Sequence, residues 1–106
     1  MMKVVLCNCP ESSALPIAKD LIARRLAACV NLLSSVRSVY HWDGEVAEEV
    51  ERPLLIKTST SRIDELRDAL VALHPYEVPE ILVLDVDVAL SHTPYVRWVV
   101  DESTAT

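Results

Sequence analysis

The sequence predicts an α+β domain: a split β-α-β sheet in the order βαββαβ, followed by a short C-terminal helix. Short runs of Val, Leu and Ile alternate with segments whose apolar residues recur at helical spacing. The lone glycine follows Asp43 between two long extended stretches, which indicates a β-hairpin. The length of 106 residues fits one structural unit, so we predict a single domain over residues 1–106.

The first strand is predicted at Lys3–Asn8, an apolar run rich in β-branched residues that Pro10 closes. Glu11–Ser13 offers helix N-cap residues, and Pro16 is expected near the first turn, where its missing N–H costs little. Apolar residues then continue at helical spacing, which predicts a helix of about four turns. Its inward stripe is expected to contain Leu15, Ala18, Leu21, Ile22 and Leu26.

A long hairpin is predicted next. Its first arm is Val30–Trp42, with Tyr40 and Trp42 on one face, and Asp43-Gly44 forms a type I′ turn. The return arm runs from Glu45 to about Thr58, where Pro53 implies an edge or a bulge. Both arms exceed the usual strand of about 5–6 residues. They should therefore project beyond the helices and pair with further copies of the chain.

The second helix is predicted to begin at Ser59–Ser61, where Ser61 and Asp64 have the spacing of a capping box. It should end at His74, because the residue before Pro75 is pushed out of the α region. Its apolar stripe comprises Ile63, Leu66, Leu70 and Leu73.

A third long strand is predicted at Glu80–Val88, and Thr93-Pro94 opens the short terminal helix. Tyr95, Trp98 and Val99 are expected to face inward, and the tail Asp101–Thr106 is expected to fray.

Two right-handed crossovers interlock in this order of elements, which is a ferredoxin-like arrangement with both main helices on one face of the sheet.

Charge and composition argue against several classes of protein. The net charge is −6, and the ten Lys and Arg residues form no basic stripe, so we expect neither nucleic-acid nor membrane binding. No segment approaches the roughly 20 apolar residues of a membrane span, and the N-terminus lacks signal-peptide features. Three cysteines make a closed disulfide framework improbable, so the expected location is the cytoplasm.

Signatures of catalysis are missing from the sequence. It contains no G-x-S-x-G, H-E-x-x-H or C-x-x-C motif, and one glycine cannot build a phosphate-binding loop. We therefore expect a protein that is not an enzyme and that has no organic cofactor.

Four groups of residues are candidates for chemistry. Cys7 and Cys9 share one face of a strand and could bind a soft cation, although we favour core packing for Cys7 and a loop position for Cys9. Core packing is also favoured for Cys29. The stiff loop from His74 to Glu80 suits either a metal or acid–base site or a structural connector, and both interpretations stay open. For Asp85 and Asp87 we favour a solvent-facing or salt-bridged role. The acidic run from Asp43 to Glu51 is expected to keep the hairpin tip soluble or to pair with Arg of a neighbouring subunit.

Four segments taken together resemble the CutA family of divalent-cation tolerance proteins. They are LAACVN at 26–31, SVYHWDG at 38–44, LIKT at 55–58 and HPYEVPEI at 74–81. They occur in family order and span most of the chain. The resemblance implies a P-II-like subunit that forms a homotrimer and is linked to tolerance of copper and other divalent cations.

The resemblance also implies roles for individual residues. Cys7, Cys29 and His74 match positions that imply metal ligands, with copper or another divalent cation as the bound ion. Further matches imply an inter-subunit cleft or interface, formed by Tyr40, Trp42, Lys57, Tyr76, Glu77, Pro79 and Glu80. Cys9 has no firm counterpart, and Asp85 and Asp87 depart from the family pattern. The alternative function is a regulatory or scaffold module that binds a small ligand or a partner protein in these clefts.

Overall fold

The computed structural model describes residues 1–105, and these confirm the predicted α+β class and the ferredoxin-like order, with the first hairpin arm divided into two strands. The elements are β1 (Met2–Cys9), α1 (Glu11–Ala23), β2 (Cys29–Leu32), β3 (Val36–Trp42), β4 (Glu45–Ser59), α2 (Ile63–Leu73), β5 (Ile81–Asp85) and α3 (Thr93–Glu102). Within the described range, no helix is both long and apolar enough to cross a membrane.

The five strands form one antiparallel sheet in the order β2-β4-β1-β5, and β3 pairs with the part of β4 that extends beyond β1. Strand β1 lies between two neighbours, so that Val5 is opposite Ile56 on β4 and Val83 on β5. The outer edges of β2 and β5 have no strand beside them within the described chain.

Helices α1 and α2 cover one face of the sheet and form the main core with it. Side chains from both helices pack there on those of β1 and β4, among them Val5, Leu21, Leu54, Ile56, Leu66 and Leu70. The opposite face is covered only at one end, where Val96 and Val99 of α3 pack near Met2. The remainder of that face is open in the single chain.

Helix α1 differs from its prediction at both ends. Pro10 takes the N-cap position, so Pro16 lies inside the helix rather than in the first turn. The helix ends at Ala23, because Arg25 adopts a positive φ of 54° and the Leu26 N–H bonds back to the Leu21 carbonyl. This phase buries Ala14, Ile17, Ala18 and Leu21, whereas Leu15 and Ile22, which were predicted to face inward, are exposed.

The hairpin turn is confirmed, with positive φ at Asp43 (55°) and Gly44 (81°). The first arm, however, is two strands rather than one. Between the aligned pairs Leu32–Leu54 and Val36–Glu51, residues 33–35 face only residues 52–53. The extra residue is a bulge opposite Pro53, as the missing N–H of that proline predicted.

The second half of the chain departs from prediction at the start of α2, in the length of β5 and in the tail, whereas α3 begins at Thr93 as predicted. A 3₁₀ turn at Thr60–Arg62 precedes α2, and the capping box does not form, because Asp64 pairs with Arg67 at 2.9 Å. His74 ends α2 with a ψ of 135°, as expected from the proline that follows. Strand β5 is shorter than predicted at both ends.

Helix α3 turns Val96 and Val99 inward, so the prediction that Tyr95 and Trp98 face the core is wrong. The tail does not fray at Asp101, since α3 continues to Glu102 and Ser103 is fully buried. The Ser103 hydroxyl accepts a hydrogen bond from the Ser59 N–H at 2.9 Å, which fixes α3 to β4. Thr106 lies outside the described residues.

Candidate functional site

A cavity of about 560 Å³ opens where the base of the hairpin meets the loop after α2. It is lined by Tyr40, Trp42, Glu49, Glu51, Pro75, Tyr76, Glu77, Val78 and Glu80. Five of the seven residues predicted for a cleft are therefore brought together. Lys57 is not among them, because six residues separate it from Glu51 along β4, which is about 20 Å. Pro79 does not line the cavity either.

The hairpin side of the cavity follows from strand alternation. Residues two apart on a strand share a face, so Tyr40 and Trp42 on β3 point to the same side as Glu49 and Glu51 on β4. The turn at Asp43-Gly44 fixes this register.

The loop side of the cavity is fixed by His74. Its Nε2 donates a hydrogen bond to the Asn8 carbonyl at 2.7 Å, and its Nδ1 accepts one from the Tyr76 N–H at 3.1 Å. The His74 and Tyr76 rings also lie 4.7 Å apart. Both ring nitrogens are thus engaged in holding the loop against β1. Of the two interpretations of His74, this geometry supports the structural connector.

The cavity is strongly acidic. Its charged lining residues are Glu49, Glu51, Glu77 and Glu80, all carboxylates. Burial and the nearby charge of Glu51 raise the pKa of Tyr76 to about 12, and burial together with Glu49 raises the pKa of Tyr40. Anions would be repelled from this cleft, and cations would be attracted to it.

The three residues predicted as metal ligands do not meet within one chain. Cys7 is fully buried against α1 and α2, where burial raises the pKa of its thiol to about 12. Cys29 is half-buried on the opposite face of the sheet, across β4 from β1 and beside the phenol of Tyr95. Both ring nitrogens of His74 are hydrogen-bonded to backbone groups. Residues 1–105 contain no group of three or more His, Cys, Asp or Glu placed to bind one metal ion.

The remaining candidates have structural partners. The expectation that Cys9 is a loop residue is wrong, because it ends β1, is buried in the core, and its thiol donates to the Arg52 carbonyl at 3.5 Å. Asp85 forms an ion pair with Lys3 at 2.6 Å, which lowers the pKa of Asp85, and Asp87 accepts a hydrogen bond from the Leu90 N–H at 3.2 Å. The favoured interpretation of both aspartates is confirmed.

Sequence reasoning missed Glu49 and Glu51 as cleft residues, because it assigned the acidic run to solubility. The sequence feature that could have identified them is that they lie two residues apart, which places both side chains on one face of the return strand. Glu48 points the other way and pairs with Arg37 of the same chain at 2.6 Å, whereas the expected partner was an arginine of a neighbouring subunit.

Comparisons with known proteins agree on one family. The family model described as "CutA1 divalent ion tolerance protein" matches residues 3–102. The divalent-cation tolerance protein CutA of Thermus thermophilus is 46% identical over 99 residues, which are 92% of this chain and 94% of that protein. Human protein CutA is 41% identical over 93 residues, and this chain spans 51% of its length.

Solved structures give the same result. The protein described as PII-like protein CutA from Nostoc, in apo form, superposes with a TM-score of 0.93 at 39% identity, covering 98% of this chain and 99% of that one. A periplasmic divalent cation tolerance protein CutA from Archaeoglobus fulgidus superposes with a TM-score of 0.92 at 27% identity, covering 98% and 100%.

Proposed function

This chain belongs to the CutA1 divalent ion tolerance family, and we propose that it works as a cytoplasmic homotrimer in the response to divalent cations, with copper as the first candidate ion. The observation that carries the trimer is the open face of the sheet. Family membership supports the link to divalent cations. The role proposed is binding rather than catalysis.

The open face carries a continuous apolar band across three strands. Leu6 on β1 is aligned with Leu55 on β4 and with Leu82 on β5, so the three side chains lie side by side on the face that α1 and α2 do not cover. Leu82 is 51% exposed, and Leu84, two residues further on the same face, is 44% exposed. A patch of this kind, next to an unpaired strand edge, is typical of a surface that other copies of a chain cover.

Native mass spectrometry and sedimentation at micromolar concentration test the trimer. The Leu82→Lys substitution should shift the protein to smaller species, because it places a charge in the apolar band. Val71→Lys is the matched control, since Val71 is 55% exposed on α2 and distant from that face. A wild-type chain that sediments as a monomer would overturn the trimer.

Copper coordination by Cys and His remains the proposed metal chemistry, and it requires His74 to exchange one of its two backbone hydrogen bonds for the ion. Cys29 is the accessible thiol, whereas Cys7 is enclosed and stays protonated at neutral pH. The three cysteines form no disulfide, which is consistent with a reducing compartment.

Titration of the reduced protein with Cu(I), Cu(II) and Zn(II) tests this chemistry. The Cys29→Ser, His74→Ala variant should bind less copper than the wild type, while Cys7→Ser should bind as much. Binding should weaken as the pH falls, because ligands must be deprotonated to bind metal. Equal copper affinity of the double variant and the wild type would reject Cys and His as the ligands.

The second candidate function is a regulatory module that binds a small ligand in the cleft. The cavity of about 560 Å³ favours it, because volumes of roughly 300–1,000 Å³ are typical of small-molecule sites. A thermal-shift screen of metabolites against metals separates the two functions, since only ligands of the native state raise the melting temperature.

A further inference from the structure

The cleft contains a nearly buried carboxylate, which is hydrogen-bonded to the Tyr76 hydroxyl but has no cationic partner among residues 1–105. Glu51 lines the cavity and is only 8% exposed. Across residues 1–105, no basic nitrogen lies within ion-pair distance of its carboxylate. A carboxylate removed from water without a cation carries a large desolvation penalty. The site is therefore electrostatically incomplete in the single chain.

Nearby basic side chains cannot supply the missing charge. Arg52, the next residue on β4, pairs with Glu11 at 2.6 Å, and Arg37 on β3 pairs with Glu48 at 2.6 Å. The other charged groups that line the cavity are the carboxylates of Glu49, Glu77 and Glu80. Within the described residues no side chain supplies a neutralising cation, so it would come from a bound ligand or from another copy of the chain.

The walls of the cavity are aromatic, and this feature is independent of the charge. Tyr40, Trp42 and Tyr76 contribute three rings to the lining. The face of an aromatic ring attracts an ammonium or guanidinium group and also packs against hydrocarbon. Such walls favour an organic cation over a strongly hydrated inorganic one.

The spread of the carboxylates indicates the shape of the ligand. A metal ion needs its ligands to converge, and no group of three or more acidic, His or Cys residues does so in the described part of the chain. A chain-like molecule can reach several separated carboxylates at once. We propose that the cleft binds a small aliphatic polyamine, which pairs one ammonium with Glu51 and lays its methylene chain along Trp42 and the two tyrosines.

The inference deepens the ligand-binding alternative above and does not depend on copper. Isothermal titration of the native assembly with spermidine tests it, and 1,8-octanediol is the uncharged probe of similar length. Spermidine should bind saturably, whereas octanediol should not bind. Mass measurement of the same sample reports the oligomer and its metal content separately, so a failure of the trimer or copper proposals is distinguishable from a failure here.

Matched variants locate the binding. Glu51→Gln should weaken spermidine binding about tenfold or more, because it removes a charged hydrogen-bond partner. Glu48→Gln removes the same charge from the same strand outside the cavity and should change affinity by less than about twofold. Trp42→Leu should weaken binding by about threefold or more through the lost cation–π contact, and it keeps the test open if Glu51→Gln does not fold.

Three results would overturn the proposal. The first is the absence of saturable spermidine binding to the folded wild type. The second is equal weakening by Glu51→Gln and Glu48→Gln, which would show only general charge attraction. The third is binding of MgCl₂ that competes fully with spermidine at equal ionic strength, which would assign the cleft to an inorganic cation.

Discussion

The two halves of β4 share one strand but differ in what covers them. In the C-terminal half, Leu54, Ile56 and Thr58 have no exposed surface, because β1 and β2 flank them and α1 and α2 lie above. In the N-terminal half, Val46 and Val50 are exposed, and β3 is the only neighbouring strand. The change occurs at the bulge beside Pro53.

The comparison shows that the pairing of strands and the burial of their side chains contribute differently to stability. Both halves have continuous ladders of backbone hydrogen bonds, and these fix the shape of the strand equally well. Burial of apolar surface supplies most of the stabilising free energy, and only the C-terminal half has it. A two-stranded hairpin in water is marginally stable at best. The order of the hairpin therefore depends on the cleft at its base and, in our proposal, on other copies of the chain.

The largest expected effect comes from shortening one apolar side chain in each half of β4 and comparing the two losses of stability. Leu54→Ala should lower the free energy of unfolding by about 2–5 kcal/mol, because it leaves a cavity in the closed core. Val46→Ala should change it by less than about 0.5 kcal/mol, since Val46 is exposed. Denaturation in guanidinium chloride measures both values. Losses of equal size would show that the hairpin is as well packed in solution as the core.

The helix-covered half is also the part that the sequence predicts best. Apolar periodicity identified the strands and helices of the core, and proline and glycine located the ends of the hairpin and of α2. The facing residues of α1 were partly mispredicted, because small alanines face the sheet while the larger Leu15 and Ile22 point outward. The same occurred in α3, where two valines face inward in place of Tyr95 and Trp98. Side-chain size was a poor guide to helix phase.

The candidate site was only partly predictable, for a topological reason. Alternation placed Tyr40 and Trp42 together, but the approach of residues 75–80 to β4 depends on contacts between distant parts of the chain. The separation of Cys7 and Cys29 could not be predicted from the sequence either. It follows from the insertion of β4 between β1 and β2, which only the sheet order reveals.

A smaller effect is expected at the turn that begins the exposed half of β4. Gly44→Ala should destabilise the protein by about 1 kcal/mol, because φ is +81° there and a left-handed conformation is costly for alanine. No heavy atom lies within 4 Å of the added Cβ, so the cost is backbone strain rather than a clash. Hydrogen exchange should accelerate in β3 while the core strands keep their protection.

Asp43→Asn is the control for the turn. Asp43 also has a positive φ, of 55°, but asparagine adopts that conformation readily, so this variant should be nearly neutral. If Gly44→Ala were equally neutral in stability and exchange, the type I′ turn would not be what sets the hairpin register.

The smallest effect is expected at β5, the other thinly covered strand. Lys3 lowers the pKa of Asp85 through a hydrogen bond and through its charge, so folding favours the ionised carboxylate. The resulting stability is present above the ordinary pKa of aspartate, near 3.9, and is lost as the pH falls through the lower pKa of the folded state. Asp85→Asn should therefore reduce the melting temperature slightly at pH 7, and the reduction should shrink as the pH falls below the ordinary pKa of aspartate. Because the Asp85 side chain is 91% exposed, 1 M NaCl should abolish the difference at pH 7. A deficit that persisted in acid and in high salt would mean that Asp85 stabilises β5 by packing, and the strand would then belong with the buried half of the sheet.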